Sequence, residues 1–190
     1  MAATAETDAL MRFMYGGRLP PTRVLPWLYI SDMTTAKSLT MLNEASITRV
    51  VVATAPDSCG FPHAQHGIEY MRVAIDDDAD ADIASLLTRR LFRFICSSQA
   101  PEQSVLVHCE GGISRSASII VAVLMLGASL DYDAALAFLR RSRRLATPNP
   151  GFDAALRAWA DSPEFTTLAS EFDVVLDVDN DARSDESDGR

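Results

Sequence analysis

Residues 104–126 read SVLVHCEGGISRSASIIVAVLML, and the reading of the whole chain turns on them. "SVLVH" (104–108) is β-branched and apolar enough for a strand buried on both faces. "ASIIVAVLML" (117–126) continues a helix read over 114–126. Packing accounts for both elements but leaves the polar, glycine-bearing turn between them unexplained. Gly111 and Gly112 let the backbone curl so that successive N–H groups point inward. The positive end of the helix lies beneath them. Such a ring, built from Glu110, Gly111, Gly112, Ile113, Ser114 and Arg115, suits an anion. Arg115 stands six residues after Cys109, and its planar fork matches two oxygens of a phosphate. Cys109 sits at the mouth of the ring. A free thiol has a pKa of about 8.5, so a useful nucleophile needs a drop of roughly two units, about 3 kcal/mol. A helix end supplies only ~0.3–1 kcal/mol. The remainder has to come from backbone N–H groups on the sulfur and from Arg115.

Outward from this centre, strands alternate with helices. "WLYIS" (27–31), "ITRVVVATA" (47–55) and "IEYMRVAI" (68–75) read as strands. Helices are expected over 33–46, capped by Asp32 or Thr34, over 82–99, capped by Asp82, over 131–144, and from 152 to 160 after the break "TPNPG". Three neighbouring acids, Asp76, Asp77 and Asp78, lie in the acidic loop 76–81. The alternation implies an α/β domain with a mostly parallel central sheet of four to five strands flanked by helices. The expected organisation is an N-terminal segment over 1–22, a domain over 23–165, and an acidic, disordered tail over 166–190.

Composition narrows the function. The net charge is −9, which disfavours a nucleic-acid partner. Residues 171–190 carry eight acids against two arginines, as a solvated spacer does. The three cysteines, Cys59, Cys96 and Cys109, are too few and odd in number for a disulfide framework. The start of the chain has no basic-then-apolar pattern of a secretory signal, and the longest apolar run is too short to span a bilayer. The expected setting is reducing and cytoplasmic, with the nucleus allowed, and no membrane partner. The run "RRSRR" (140–144) reads as charge at a helix C-terminus or as a docking patch for acidic partners.

Cys-x5-Arg, preceded by His108 and followed by Ser116, resembles the signature of the cysteine-dependent protein tyrosine phosphatase superfamily, and within it the dual-specificity phosphatases. "WLYIS", "ITRVVVATA", "IEYMRVAIDDDADADI", "SVLVHCEGGISRSASIIVAVLM" and "AFLRRSRRLATPNPGF" resemble that family's successive blocks in order, over about residues 24–160. The resemblance implies a tyrosine-phosphatase-like fold and hydrolysis of phosphotyrosine and phosphoserine or phosphothreonine on a protein substrate, with no metal or other cofactor. It casts Cys109 as nucleophile, Arg115 as phosphate clamp and Ser114 as donor to the thiolate. Asp77, aligned through the final Asp-Ile of its block, becomes the general acid and then base, with Asp76 and Asp78 as the neighbouring alternatives. His108 and Ser116 support the loop. Gly111 and Glu110 depart from the common pattern. Glu110 puts a negative charge at the mouth, which raises the thiol pKa or disfavours acidic substrates.

Other readings keep the fold. The substrate is alternatively a phosphoinositide, an RNA 5′ end or a phosphoglucan, against which Glu110 weighs. A catalytically silent phosphate-binding module is the third reading, and the presence of Cys109 weighs against it.

Overall fold

The computed structural model describes residues 19–97 and 103–172. Five strands form one sheet, β1 (Thr22–Leu25), β2 (Leu28–Ser31), β3 (Ile47–Ala53), β4 (Glu69–Val73) and β5 (Ser104–His108), in the spatial order β1-β2-β5-β3-β4. Only β1 and β2 are antiparallel; β5 runs parallel to β2 on one side and to β3 on the other. This is the α/β, mostly parallel sheet that the alternating pattern implies. The central strand β5 is buried at all five positions, which suits its run of Val and Leu. Ser31 of β2 and Val52 of β3 pair with His108, so neighbouring strands end level with it. The loops that follow β2, β4 and β5 therefore open on one edge of the sheet, where α/β proteins bind ligands.

Helices α1 (Met33–Ala36), α2 (Leu39–Glu44), α3 (Arg89–Cys96), α4 (Arg115–Gly127), α5 (Tyr132–Ser142), α6 (Pro150–Ala160) and α7 (Pro163–Glu171) cover the sheet. Helix α4 is buried from Arg115 through Leu126, which explains why its sequence has no polar face. Each of its Ile, Val and Leu side chains contributes about 1.5–3 kcal/mol by leaving water. That is ample to hold the glycine-bearing turn before it in place. Among the described residues no helix is long and apolar enough to cross a membrane.

Several boundaries differ from the sequence expectations. The helix expected over 33–46 is two helices. Asp32 caps the first by accepting from Thr35 N at 2.7 Å, and extended Ser38 begins the second. The helix expected over 82–99 starts at Arg89 under a Thr88 cap, and Asp82 instead caps a 3-10 turn at Ala84–Leu86. Leu87 breaks the helix between them, although Ile83, Leu87, Leu91 and Ile95 all face the core. Helix α6 starts at Pro150 because Asn149 caps it, its Oδ1 accepting from Phe152 N at 2.9 Å.

Both ends of the domain move outward. Thr22, placed in the N-terminal segment, is the first residue of β1, and Leu19 O accepts from Thr35 Oγ1 at 2.8 Å. The boundary expected after residue 165 falls inside α7. Ser162 caps that helix, Leu168 is buried, and Phe165 packs edge-on against Trp159 at 4.9 Å. Phe172 meets Phe92 in the same manner at 5.6 Å. The rest of the acidic tail, 173–190, lies outside the described residues, as do residues 1–18.

Gly151 sets one distance that matters for the site. A Cβ added there would stand 1.8 Å from the carbonyl oxygen of Ala79, so the start of α6 lies against the acidic loop. Gly60, by contrast, has open space around that position. Gly151→Ala is expected to destabilise the fold by about 1–3 kcal/mol in urea denaturation, while Gly60→Ala stays within about 0.5 kcal/mol. Equal stability of the two variants contradicts the close approach.

Candidate active site

Cys109 follows the last residue of β5 and is only 1% exposed. Its neighbours in the loop fold into a ring, and the carbonyls show why. The carbonyl of Cys109 lies 3.1 Å from His108 Nδ1, and that of Glu110 accepts from Met33 N at 3.1 Å. Those of Gly111 and Gly112 accept from Arg143 at 3.2 and 3.1 Å. Ile113 O accepts from Thr147 N, and Ser114 O from Ser118 N, both at 2.8 Å. Every carbonyl from 109 to 114 is thus taken up by a donor outside the ring. A trans peptide points its N–H away from its C=O, so the amides that face inward are free for an anion. Gly112 makes the curl possible with φ +64°, and a Cβ there would fall 2.6 Å from Ser31 O.

The sulfur accepts from Gly112 N and from Ser116 Oγ, each at 3.2 Å. Burial pushes this thiol up. The Ser116 hydroxyl and the amides of Ser116, Ile113 and Gly112 outweigh burial and hold its pKa below the ordinary thiol value. Cys96 shows the contrast: burial without such donors pushes it up to about 12. The side chain that donates to the Cys109 sulfur is Ser116, whereas Ser114, expected in that role, turns elsewhere. Ser116 lies in the first turn of α4, where its hydroxyl looks back down the helix axis to the sulfur.

Ser114 serves a different partner. Its hydroxyl donates to Asp77 Oδ1 at 2.6 Å and accepts from Asn149 N at 3.1 Å. Asn149 Nδ2 donates to the same Asp77 oxygen at 2.9 Å. Oδ1 is occupied twice, and Oδ2 turns toward Arg115, 3.8 Å from its Nε. Of the three candidate acids, Asp77 has these contacts with the loop, while Asp76 and Asp78 line a groove with Pro56 and Asp82. Sequence reading missed Asn149, whose position just before Pro150 marks it as a helix cap and hides its second task.

Arg115 is buried, and its Nε has no hydrogen-bond partner among the described residues. A buried guanidinium beside a ring of inward amides has the chemistry to bind an anionic oxygen. Glu110 reaches over from the loop, its carboxylate 3.3 Å from Arg115 Nη2, with its side chain 71% exposed. The extra negative charge is thus spent on Arg115. His108 is buried, and desolvation lowers its pKa to about 4. A neutral ring whose Nδ1 faces a carbonyl carries its proton there, so His108 donates to Cys109 O. It supports the loop and is unsuited to proton transfer. Cys59 is buried and Cys96 half-buried, and both are free thiols.

The family model described as "Dual specificity phosphatase, catalytic domain" matches residues 28–162. Dual specificity protein phosphatase 15 of Mus musculus is 33% identical over 153 residues, covering 79% of this chain and 63% of that protein. Dual specificity protein phosphatase 1 of Homo sapiens is 33% identical over 132 residues, covering 70% of this chain and 35% of its own length. The chain thus spans less than two thirds of these relatives. The crystal structure of DUSP15 superposes with a TM-score of 0.69 at 28% identity, covering 83% of this chain and 99% of that one. Human DUSP28 gives a TM-score of 0.67 at 27% identity, covering 75% and 93%.

The two serines separate cleanly. The Ser116 hydroxyl favours the charged sulfur, so Ser116→Ala raises the thiol pKa. The acid limb of the pH profile of kcat/KM toward p-nitrophenyl phosphate is expected to move to higher pH in Ser116→Ala, with activity recovering as pH rises. Ser114→Ala is expected to leave that limb in place. The opposite pattern restores the role first expected of Ser114.

Proposed function

The chain belongs to the dual-specificity phosphatase family, and from that premise we propose that it hydrolyses phosphotyrosine and phosphoserine or phosphothreonine monoesters on protein substrates through a phosphocysteine intermediate. One observation carries the proposal. A buried sulfur accepts from Gly112 N and the Ser116 hydroxyl, and the same loop carries a buried arginine whose Nε makes no hydrogen bond among the described residues.

The Cys109 thiolate attacks phosphorus in line. The S–P bond forms as the P–O bond to the substrate residue breaks. The amides of the ring and Arg115 hold the equatorial oxygens, where charge builds up. Glu110 gives up its place on Arg115 as the phosphate arrives. Asp77 delivers a proton from Oδ2 to the leaving oxygen. Ser114 and Asn149 keep Oδ1 engaged, so that Oδ2 is the oxygen that works. In the second half, a water oxygen attacks phosphorus while Asp77 takes its proton. The S–P bond then breaks, releasing inorganic phosphate and the thiolate, which the Ser116 hydroxyl stabilises as a leaving group. Ile113, exposed on the rim, forms a wall for the substrate side chain. A reducing compartment, the cytoplasm with the nucleus allowed, keeps such a sulfur usable.

The leaving group tests the assignment. Phosphoserine needs the proton far more than p-nitrophenyl phosphate does. Asp77→Asn is therefore expected to lose about 10²–10⁴-fold in kcat on phosphoserine peptides. It is expected to lose much less on p-nitrophenyl phosphate. Cys109→Ser abolishes turnover of both, and Arg115→Lys costs about 10²–10³-fold on both. Equal losses on the two substrates in Asp77→Asn move the acid to another residue. Turnover by Cys109→Ser rejects the mechanism.

A further inference from the structure

The arginines of "RRSRR" do not act as one patch. Arg140 Nε donates to Ala146 O at 2.8 Å, tying the chain beyond α5 back onto the helix. Arg141 lies over the Phe138 ring at 5.3 Å. Arg143 turns the other way, into the sheet edge. Its Nε donates to Gly112 O, its Nη2 to Gly111 O, and its Nη1 to Thr22 Oγ1 at 3.3 Å. An arginine that merely complemented the α5 dipole would sit on the last carbonyls of α5. This one sits on two carbonyls of the ring.

Which carbonyls they are decides the matter. Gly111 O belongs to the same peptide plane as Gly112 N–H, and Gly112 O to the same plane as Ile113 N–H. Those two amides are among the donors that hold the Cys109 sulfur. A planar trans peptide has its C=O and N–H on opposite sides, so fixing the outer end aims the inner one. A charged donor on the C=O also polarises the unit and strengthens its N–H as a donor. The site leaves no slack: a Cβ on Gly112 would fall 2.7 Å from Arg143 Nη2.

We propose that Arg143 is a positioning residue for Cys109, gripping from behind two peptide planes of the ring, one of which donates its N–H to the Cys109 sulfur. The inference rests on the reading of Cys109 as a thiolate nucleophile. Arg143 has no contact with substrate in this account and acts only through the ring. Burial pushes its guanidinium pKa down, and the charges of Asp32 and Cys109 push it back up, so arginine and thiolate support one another across the loop. Other charged groups near the loop include Arg115, Glu110 and Asp77, with Lys37 and Arg72 acting on the buried His108.

The test uses the full chain with Arg143→Met, Arg143→Lys and, as a control from the same run, Arg141→Met. The rate of Cys109 alkylation by iodoacetate is followed against pH by peptide mass spectrometry, beside kcat and KM for p-nitrophenyl phosphate. The alkylation midpoint is expected to rise in Arg143→Met and to rise less in Arg143→Lys, which keeps the charge but lacks the fork. At pH 6, kcat/KM falls by roughly tenfold to a hundredfold in Arg143→Met, and the deficit narrows at higher pH. Arg141→Met matches the unaltered chain throughout. A low midpoint that survives in Arg143→Met overturns the role of Arg143 alone. Should that variant fail to fold, an unmoved midpoint in a folded Arg143→Lys does the same. An ordinary alkaline midpoint in the unaltered chain overturns the thiolate reading itself.

Discussion

A buried sulfur that is to carry charge needs hydrogen-bond donors, and in this fold the donors are backbone amides together with the Ser116 hydroxyl. Amides face inward only while their carbonyls are accepted elsewhere. The architecture reduces to that requirement. Helix α1 supplies Met33 N for Glu110, the end of α5 supplies Arg143 for Gly111 and Gly112, and the segment before α6 supplies Thr147 N for Ile113. Strand β5 sits mid-sheet, where its end is surrounded by elements able to reach the loop. Helix α4 is buried on all sides, so its first turn is fixed under the ring. Core packing thus becomes a chemical property of Cys109: rigid surroundings keep the inward amides aimed, and aimed amides offset the cost of burying charge.

The Asp77 side of the site is built from other elements and meets the ring at Ser114 and Arg115. Asp77 comes from the loop after β4, and Asn149 and Gly151 come from the start of α6. The close contact of Gly151 with Ala79 holds that loop against the helix. Ser114, the residue before α4, connects the two halves by donating to Asp77 from within the ring. Two residues on, Ser116 faces the sulfur. Different directions along one helical start give two serines separate partners, one Asp77 and the other the Cys109 sulfur.

Much of this was legible in the sequence because it depends on local chemistry. The run into Cys109, the two glycines and the apolar helix beyond them announce a strand, a ring and a buried helix. The helix expected over 131–144 forms over Tyr132–Ser142, and Asp131 caps it. What escaped the sequence depends on direction or on distant partners. The four residues of β1 are too short to show a period, and only pairing with β2 makes them a strand. Helix α7 carries a legible start in Ser162 and Pro163, but the acids that follow it drew the tail boundary too early. Spacing places Ser114 and Ser116 near the sulfur without saying which one turns toward it. Nothing local tells Arg143 from Arg141 or Arg144, because its partners are carbonyls some thirty residues earlier. Asn149 announces a cap and conceals its grip on Asp77.

The central claim concerns the charge on one sulfur, and ultraviolet absorbance measures it directly. The pH titration of thiolate absorbance in the folded chain, less that of the Cys109→Ser variant, isolates Cys109. The account predicts a midpoint below that of an ordinary thiol, with the sulfur already charged at neutral pH and the signal lost on unfolding in urea. A midpoint at or above the ordinary thiol value, unchanged by unfolding, contradicts it.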